Sequence, residues 1–592
     1  MGTVLVAEAA GRRVNWEAAT GAIRNPTARV IACDPIAFQR ARGIRENVVA
    51  TSALIQPEDM AEIDRRVAKQ LDACRRADTL DAMTGHDVAF LAARTIAFQI
   101  VGFEKALAMA EKLVASTDQF VLVGDSRPVA SEAYPSECQD LFDILDAWTR
   151  SEGIPCDRIA APGEPVDTDR WASDLGPMVA AVAERLSRLR SRRVLAVRLY
   201  GDLRQRLSRL LRGAAVLPLI LPDHASGTDL AAAGALAKAW SNRLDYLDEV
   251  PGAVRTLAVS RLRAAVAQEL PLAFAWARAA SRAVRRFKPH VVVQMEDISP
   301  SGRALASIGR AAGAWTVVVQ HGLIGESLYG IHVMPAVASC HACWGDISRQ
   351  WNLDHGAPED SQIVVGNPMF DRYFQGGKSL PRPPEKAREV AFVSQPFVPL
   401  APSESDFDRL EALMALLPFD ERGVPIAIRP HPSEDRSRLK RLVDSVGFSK
   451  TQWDETLAAT LRRPAVIVCK SSTAALEAMI YHRPIVLAAL SGRGDPTELG
   501  REGATLVATT PSDLTSAVQS CLEDPVVLAS LDSACSRVLP QFLNGMDGRA
   551  AERLAAALND RLAGGKRNIS PRNSPKDRSL SPAVSPTVRG RR

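Results

Sequence analysis

The strongest constraint on this chain is a set of short, β-branched runs that are apolar at nearly every position. They recur at residues 3–7 (TVLVA), 29–33 (RVIAC), 120–123 (FVLV), 194–197 (VLAV), 291–294 (VVVQ), 316–320 (TVVVQ), 362–365 (QIVV), 389–394 (EVAFVS), 425–429 (PIAIR), 465–469 (AVIVC) and 484–488 (PIVLA). A strand with one wet face alternates apolar and polar residues. A run without alternation must be covered on both faces, as in a parallel sheet sandwiched between helices. Longer amphipathic stretches lie between the runs. Residues 302–312, for instance, separate two of them by about the length of a right-handed strand–helix–strand crossover. The pattern predicts an α/β protein with parallel sheets.

At roughly 150 residues per domain, 592 residues suggest about two to four domains. The clearest break is GGKSLPRPPEK at 376–386, rich in Gly and Pro and followed by a new strand. It predicts an N-terminal unit over 1–375, a linker over 376–388 and a C-terminal unit over 389–563. Residues 175–285 are dominated by Ala, Leu and Arg and read as a helical insertion in the first unit. Residues 564–592 hold four Ser-Pro pairs, starting at Ser570, Ser574, Ser581 and Ser585, and their one acid is Asp577. Such a basic, apolar-poor segment is expected to be a disordered tail.

The remaining composition excludes classes of function. A net charge of +5, from 73 basic against 68 acidic residues, is mild for this length and does not predict a nucleic-acid binder. Nine scattered cysteines imply no disulfide framework. The CHAC run at Cys340–Cys343 lacks a second ligand pair for zinc, so these read as ordinary half-buried cysteines. The longest apolar run, 214–222, is far below the roughly 20 residues of a membrane helix. Residues 1–13 carry their apolar stretch before their basic residues, the reverse of a secretion signal. The expected location is the cytoplasm. The basic tail is the one segment that could reach the inner membrane face or a protein partner.

Three segments carry chemistry. In AVIVCKSSTAALEAMI (465–480) a buried strand is followed by Lys470, Ser471, Ser472 and Thr473 and then by a helix. Backbone amides and the positive helix end point at an anion there, with hydroxyls and an ammonium beside them. A phosphate site explains three consecutive hydroxyls after a lysine; helix capping explains one. Glu477, one turn into that helix, can accept two hydrogen bonds from a ribose diol. In PIAIRPHPSED (425–435) two prolines pin His431 in a rigid turn beside Arg429, an arrangement suited to a phosphate or a departing phosphate oxygen. In 288–325 two strands deliver Glu296 and Asp297, and then His321, to their tips, where a carboxylate or imidazole is a candidate general base.

Taken together, Gln320-His321-Gly322, Trp344-Gly345, Val365-Gly366-Asn367-Pro368 and Asp371 resemble the bacterial surface-polysaccharide glycosyltransferases of the two-domain GT-B type. The Arg429-Pro430-His431-Pro432 turn and the Ser471-Ser472-Thr473 cluster are similar to the His-Pro and Ser/Thr motifs of the CMP-sugar enzymes, the polysialyltransferases and the capsule Kdo transferases. The CDP-glycerol glycerophosphotransferases share these blocks, and the likeness spans about residues 286–490. It implies two Rossmann-like domains, with the donor nucleotide on the second and the acceptor on the first. It also implies an inverting transfer of a nonulosonate such as sialic acid or Kdo to a surface glycan, glycolipid or glycoprotein, with no metal and no cofactor. His431, Ser471, Ser472 and Thr473 would hold the donor phosphate, with Arg429 and Lys470 beside them, and Glu477 the ribose. The base would be His321, Glu296 or Asp297, with Asp297 favoured. The acidic-acidic-Gly motif of the CMP-sialic acid enzymes has only partial matches, at Val123-Gly124-Asp125 and Met295-Glu296-Asp297. Two alternatives share the pattern: a UDP-sugar 2-epimerase, and a non-catalytic nucleotide-sugar or partner-binding subunit.

Overall fold

The computed structural model describes residues 2–7, 14–56, 58–63, 65–67, 88–124, 137–159, 192–199, 201–211, 213–219, 221–222, 224–241, 250–325, 337–374, 388–395, 406–432, 434, 436–453, 456–470, 472–490 and 497–564. Its strands form three parallel sheets. The first holds β1 (Gly2–Val6), β2 (Arg29–Ala32), β3 (Val48–Ala50), β4 (Gln119–Val123) and β5 (Cys156–Ile159) in the order β3-β2-β1-β4-β5. The second holds β6 (Arg192–Val197), β7 (Ala214–Pro218), β8 (Val291–Gln294), β9 (Trp315–Val319), β10 (Cys340–Cys343) and β11 (Gln362–Val364) in the order β11-β10-β9-β8-β6-β7. The third holds β12 (Val390–Val393), β13 (Ile426–Arg429), β14 (Thr451–Trp453), β15 (Val466–Cys469), β16 (Ile485–Ala488) and β17 (Leu506–Ala508) in the order β14-β13-β12-β15-β16-β17.

Each sheet is covered on both faces, which is why its strands do not alternate. In β12 Ala391 and Val393 enter one apolar cluster while Val390 and Phe392 enter another. In β1 Leu5 faces one cluster while Val4 and Val6 face the other. The α/β class and the Rossmann-like arrangement are therefore as the sequence predicts. The first and third sheets have the dinucleotide-fold strand order, with its switch point between their first and fourth strands. The second has the flavodoxin-like order, with its switch point between β6 and β8.

Two expectations are corrected. Residues 1–375 do not form one sheet with a helical insertion, because 2–159 build a complete sheet of their own. The span 175–285 contributes β6 and β7, the strands that complete the second sheet. Its helix Gly252–Phe287 is a shared strut. Val254, Ala258, Leu270 and Phe274 pack into the core of the first sheet, whereas Ala277, Ala280, Ala283 and Val284 pack into that of the second.

The C-terminal unit also does not run to 563. The helix Pro525–Leu543 lies on the third sheet's core through Val538, Leu539 and Phe542. Asn544 is left-handed, at φ 46°, and the chain turns back. The return helix Ala550–Ala563 then packs Ala551, Leu554, Ala555 and Leu558 against Val194, Val291 and Val317 of the second sheet. Of the expected linker only Arg388 is described, and tail residues 565–592 lie outside the described residues. No described helix is long and apolar enough to cross a membrane.

Candidate functional site

Sheet register places the donor-side residues. β12 pairs with both β13 and β15, and Val393, Arg429 and Cys469 form one cross-strand row. Ser394 and Lys470 follow that row directly and His431 one residue later, at the carboxyl ends where open α/β sheets bind ligands, and β12/β15 is the switch point. Ser472 is the N-cap of the helix Thr473–Ile480, its hydroxyl accepting from the Ala474 amide at 3.2 Å. Ser471 lies outside the described residues.

The Arg-Pro-His-Pro turn is fixed by Glu434. Its carboxylate accepts from the His431 amide at 3.1 Å and the Ser394 hydroxyl at 2.8 Å, and it pairs with Arg409 at 3.0 Å. Burial, aided by the Arg429 charge, lowers the His431 pKa, so near neutral pH the ring is an uncharged imidazole. Arg429 is nearly buried and donates to the Pro430 carbonyl at 2.6 Å. Lys470 sits 3.4 Å from Asp408. Apart from Ser471, these expected donor-side residues share one sheet edge. Ser394, Asp408, Arg409 and Glu434 join them, and no motif marked those four.

On the second sheet, β8 and β9 are neighbours, Gln294 opposite Val318, so the segments 295–297 and 320–323 leave adjacent strand tips. Asp297 is 4% exposed. Its Oδ2 accepts from the amides of Val337 and Ala338, each at 2.8 Å, and lies 3.4 Å from His341 Nε2. Burial alone would raise its pKa; the His341 charge and these hydrogen bonds outweigh burial and lower it to about 2. A group so stabilised as an anion is a poor proton acceptor near pH 7, which weighs against Asp297, the favoured base. Glu296 is also engaged, accepting from the amides of Ile298 and Ser299 and from the Ser299 hydroxyl at 2.5–2.8 Å.

His321 differs. Its Nδ1 lies 2.8 Å from the Met295 carbonyl oxygen, which can only accept. The ring proton is therefore on Nδ1 and the basic lone pair on Nε2. Gln320 holds this loop in place. Its Oε1 accepts from the Trp344 amide at 2.8 Å, its Nε2 donates to the Gly322 carbonyl at 2.8 Å, and its own carbonyl accepts from Trp344 Nε1 at 2.6 Å. Arg198, at the tip of β6 with φ 48°, donates to Ser301 at 2.8 Å and completes the switch point of this sheet. Backbone of that hand carries no sequence signature outside glycine, so Arg198 was not legible.

The two halves meet where the remaining motif residues lie. The Leu323 amide donates to Thr473 Oγ1 at 3.2 Å, bringing the loop of His321 against the helix Thr473–Ile480. Trp344, Phe370, Tyr373 and Tyr481 form a chain of aromatic contacts at 5.5–5.8 Å from the second sheet to the third. Glu477 receives the Tyr373 hydroxyl, with Arg372 3.6 Å away. Burial raises its pKa, against the lowering effects of Tyr373 and Arg372.

Gly345 and Gly366 are seats for the returning chain. A Cβ on Gly345 would stand 2.1 Å from the Gln541 carbonyl oxygen, and Gly366, at φ 89°, faces the Leu543 carbonyl and Arg553. Asp371 caps the return helix, accepting from Ala550 and Ala551 at 2.8 and 2.9 Å while pairing with Arg206. These blocks hold the lobes together. Among the described residues no group of His, Cys, Asp or Glu could hold a metal ion. Burial pushes the Cys340 and Cys343 thiols up to about 12, in keeping with inert cysteines.

No protein-family model and no curated protein matches the chain. Among solved structures it is similar to UDP-GlcNAc 2-epimerase from Neisseria meningitidis bound to UDP-GlcNAc, at 11% identity over 62% of this chain and 100% of that one, with a TM-score of 0.41. The Methanocaldococcus jannaschii UDP-GlcNAc 2-epimerase in complex with UDP-GlcNAc and UDP gives 15% identity over 62% and 99%, also at 0.41. A mutant of S. aureus TarM in complex with fondaparinux, α-GlcNAc-glycerol and UDP gives 14% identity over 48% and 59%, at 0.35.

Proposed function

We propose that the chain is a nucleotide-sugar enzyme of the GT-B arrangement, with the donor phosphate at the start of the helix Thr473–Ile480 and His321 as the base across the cleft. The observation that carries this is the contact of Leu323 with Thr473, which sets the loop of His321 against the N-terminal end of the helix Thr473–Ile480, where an anion is favoured. The nucleotide phosphate meets the amides of that helix end, Ser472, Thr473, Lys470 and Arg429. In transfer, His321 Nε2 takes the proton of an acceptor hydroxyl as its oxygen bonds to the anomeric carbon. The bond from that carbon to the donor phosphate breaks, and the electron pair leaves with the nucleotide. His431 donates an N–H to the departing oxygen. Attack from the face opposite the nucleotide inverts the anomeric centre. The positive groups at the phosphate supply the charge stabilisation that a metal gives elsewhere. The Arg-Pro-His-Pro turn supports a CMP donor carrying a nonulosonate, and a surface glycan, glycolipid or glycoprotein as acceptor.

The second reading is 2-epimerisation of a UDP-sugar, the activity named for two of the structures above. One observation favours it: Glu296 and Asp297 are both occupied by backbone amides, so this side of the cleft offers an imidazole where transfer was expected to use a carboxylate. Thermal shifts with CMP, CDP, UDP and GDP, followed by product analysis with the matching sugar nucleotide, separate the two. Selective stabilisation by CMP and release of CMP from a CMP-sugar support transfer. Conversion of a UDP-sugar to its 2-epimer without free nucleotide replaces it with the second reading. Absence of stabilisation by every nucleotide removes both.

A further inference from the structure

Glu477 is held by residues the donor-side lobe does not own. Its carboxylate, on the helix Thr473–Ile480, has a side chain 13% exposed. One oxygen, Oε2, receives the Tyr373 hydroxyl from 104 residues away. Arg372 donates to the Tyr373 hydroxyl oxygen at 2.7 Å, stands 3.6 Å from the same Oε2 and lies over the Tyr373 ring at 4.8 Å. Phe370 and Tyr481 wedge the Tyr373 ring edge-on from two sides, at 5.5 and 5.7 Å. Among the described residues, Oε1 accepts no hydrogen bond.

The surrounding core gives no reason for an acid at this position. Ala474, Ala475, Leu476, Ala478, Met479 and Ile480 of the same helix all pack into an apolar cluster. A half-buried carboxylate costs free energy unless it is paired, and this one is paired on a single side by a rigid phenol and a guanidinium. The result is one fixed acceptor oxygen, a preorganised receptor for a hydroxyl donor. We infer that Tyr373 and Arg372 are positioning residues that hold Glu477 for the 2′-hydroxyl of a nucleotide ribose, so that preference for ribo- over 2′-deoxynucleotide depends on the segment joining the second and third sheets. This rests on the reading of the cleft as a nucleotide site.

The test is calorimetric titration of the full chain with CMP and dCMP, and with UDP and dUDP, at pH 7. The unaltered protein should prefer the ribonucleotide by about tenfold, as one charge-assisted hydrogen bond provides. Glu477→Gln should abolish the preference. Tyr373→Phe and Arg372→Ala should each reduce it to about twofold to threefold, leaving affinity for the deoxynucleotide unchanged, and Arg372→Lys should restore part of it. Arg372 has a side chain 64% exposed, so its variants test the inference even if Tyr373→Phe lowers stability. If Glu477→Gln abolishes the preference while Tyr373→Phe and Arg372→Ala keep it, the positioning role is wrong and the nucleotide site stands. If Glu477→Gln keeps the preference, or no nucleotide binds, the reading of the site fails and the inference with it.

Discussion

Asp297 separates a structural carboxylate from a catalytic one, and the two roles predict opposite outcomes. Its Oδ2 accepts two backbone amides from residues 40 and 41 positions away and faces His341, with the residue 4% exposed. Asp297→Asn preserves the shape and one oxygen for the amides but removes the charge. The lowering of the carboxyl pKa to about 2 corresponds to a charge contribution on the order of 2 kcal/mol. Asp297→Ala also leaves two buried amides unsatisfied, and breaking a buried charged pair on one side costs about 3–5 kcal/mol. The folded-state pKa is the lower one, so this contribution is fully present above the unfolded value and lost as pH falls from about 4 to about 2. Thermal melts from pH 7 to pH 2.5 should show both variants melting below the unaltered protein at neutral pH. The gap for Asp297→Asn should shrink toward pH 2.5. Turnover per folded molecule at 20 °C should stay within about tenfold of the unaltered protein for Asp297→Asn, since no proton is transferred through this group. A loss of about a thousandfold in turnover with an unchanged melt would refute the structural assignment and restore Asp297 as the base.

His321→Ala should lower turnover by about 10²–10⁴-fold while nucleotide affinity, read by calorimetry, stays near that of the unaltered chain; equal losses in both would make His321 a binding residue. Gly345→Ala puts a methyl 2.1 Å from one backbone oxygen and 2.5 Å from the Phe542 carbonyl carbon, neither of which can rotate away. It should cost about 1–3 kcal/mol or more, visible as a lower melting point and faster proteolysis between 541 and 549. Asp371→Ala removes the cap of the return helix and one partner of the 15%-exposed Arg206 side chain, which keeps the Pro368 carbonyl. It should raise hydrogen exchange across 550–563 before the rest of the chain, and protection equal to that of the unaltered protein would show that the helix docks by its apolar face alone.

All eleven runs read as strands in the sequence are strands in the structure, shifted by a residue or two at their ends. The strands that escaped are β3, β5, β7, β10, β14 and β17, and five of these six are sheet edges. An edge is covered less completely, so Cys156–Ile159 and Thr451–Trp453 carry charged and polar residues that blur the signal. β10 is interior, but its CHAC run carries an imidazole and two thiols and reads as chemistry first. The number of sheets was not legible because a covered parallel strand looks the same in any of them. Partition into three sheets is decided by pairing between residues far apart. The strand–helix junction at 465–480 was legible because its signal is local: strand, lysine, hydroxyls and helix stand within a dozen residues. The opposite side was not. A carboxylate at a strand tip reads the same whether it meets a substrate or, like Asp297, the amides of Val337 and Ala338.

The contacts between sheets also rank the motions open to the molecule. The first and second sheets share the strut helix Gly252–Phe287, which lies in both cores, so separating them would expose apolar surface on each side. The first and third sheets meet through the helix Pro35–Ile44. There Phe38 meets Phe407 edge-on at 5.7 Å and Gln39 donates to the Met414 sulfur at 3.1 Å. An aromatic pair of that kind contributes about 0.5–1.5 kcal/mol beyond its buried area, and the N–H···S contact adds less. A ligand shifts such an equilibrium only by its differential affinity for the two arrangements, so a preference of about tenfold, or about 1.4 kcal/mol, is enough to act on contacts of that size. The contact between the first and third sheets is therefore the weaker one, whereas Trp344 and Phe370 pack the second sheet's side into the core of the third. Leu323–Thr473 and Tyr373–Glu477 join the second and third sheets directly as well.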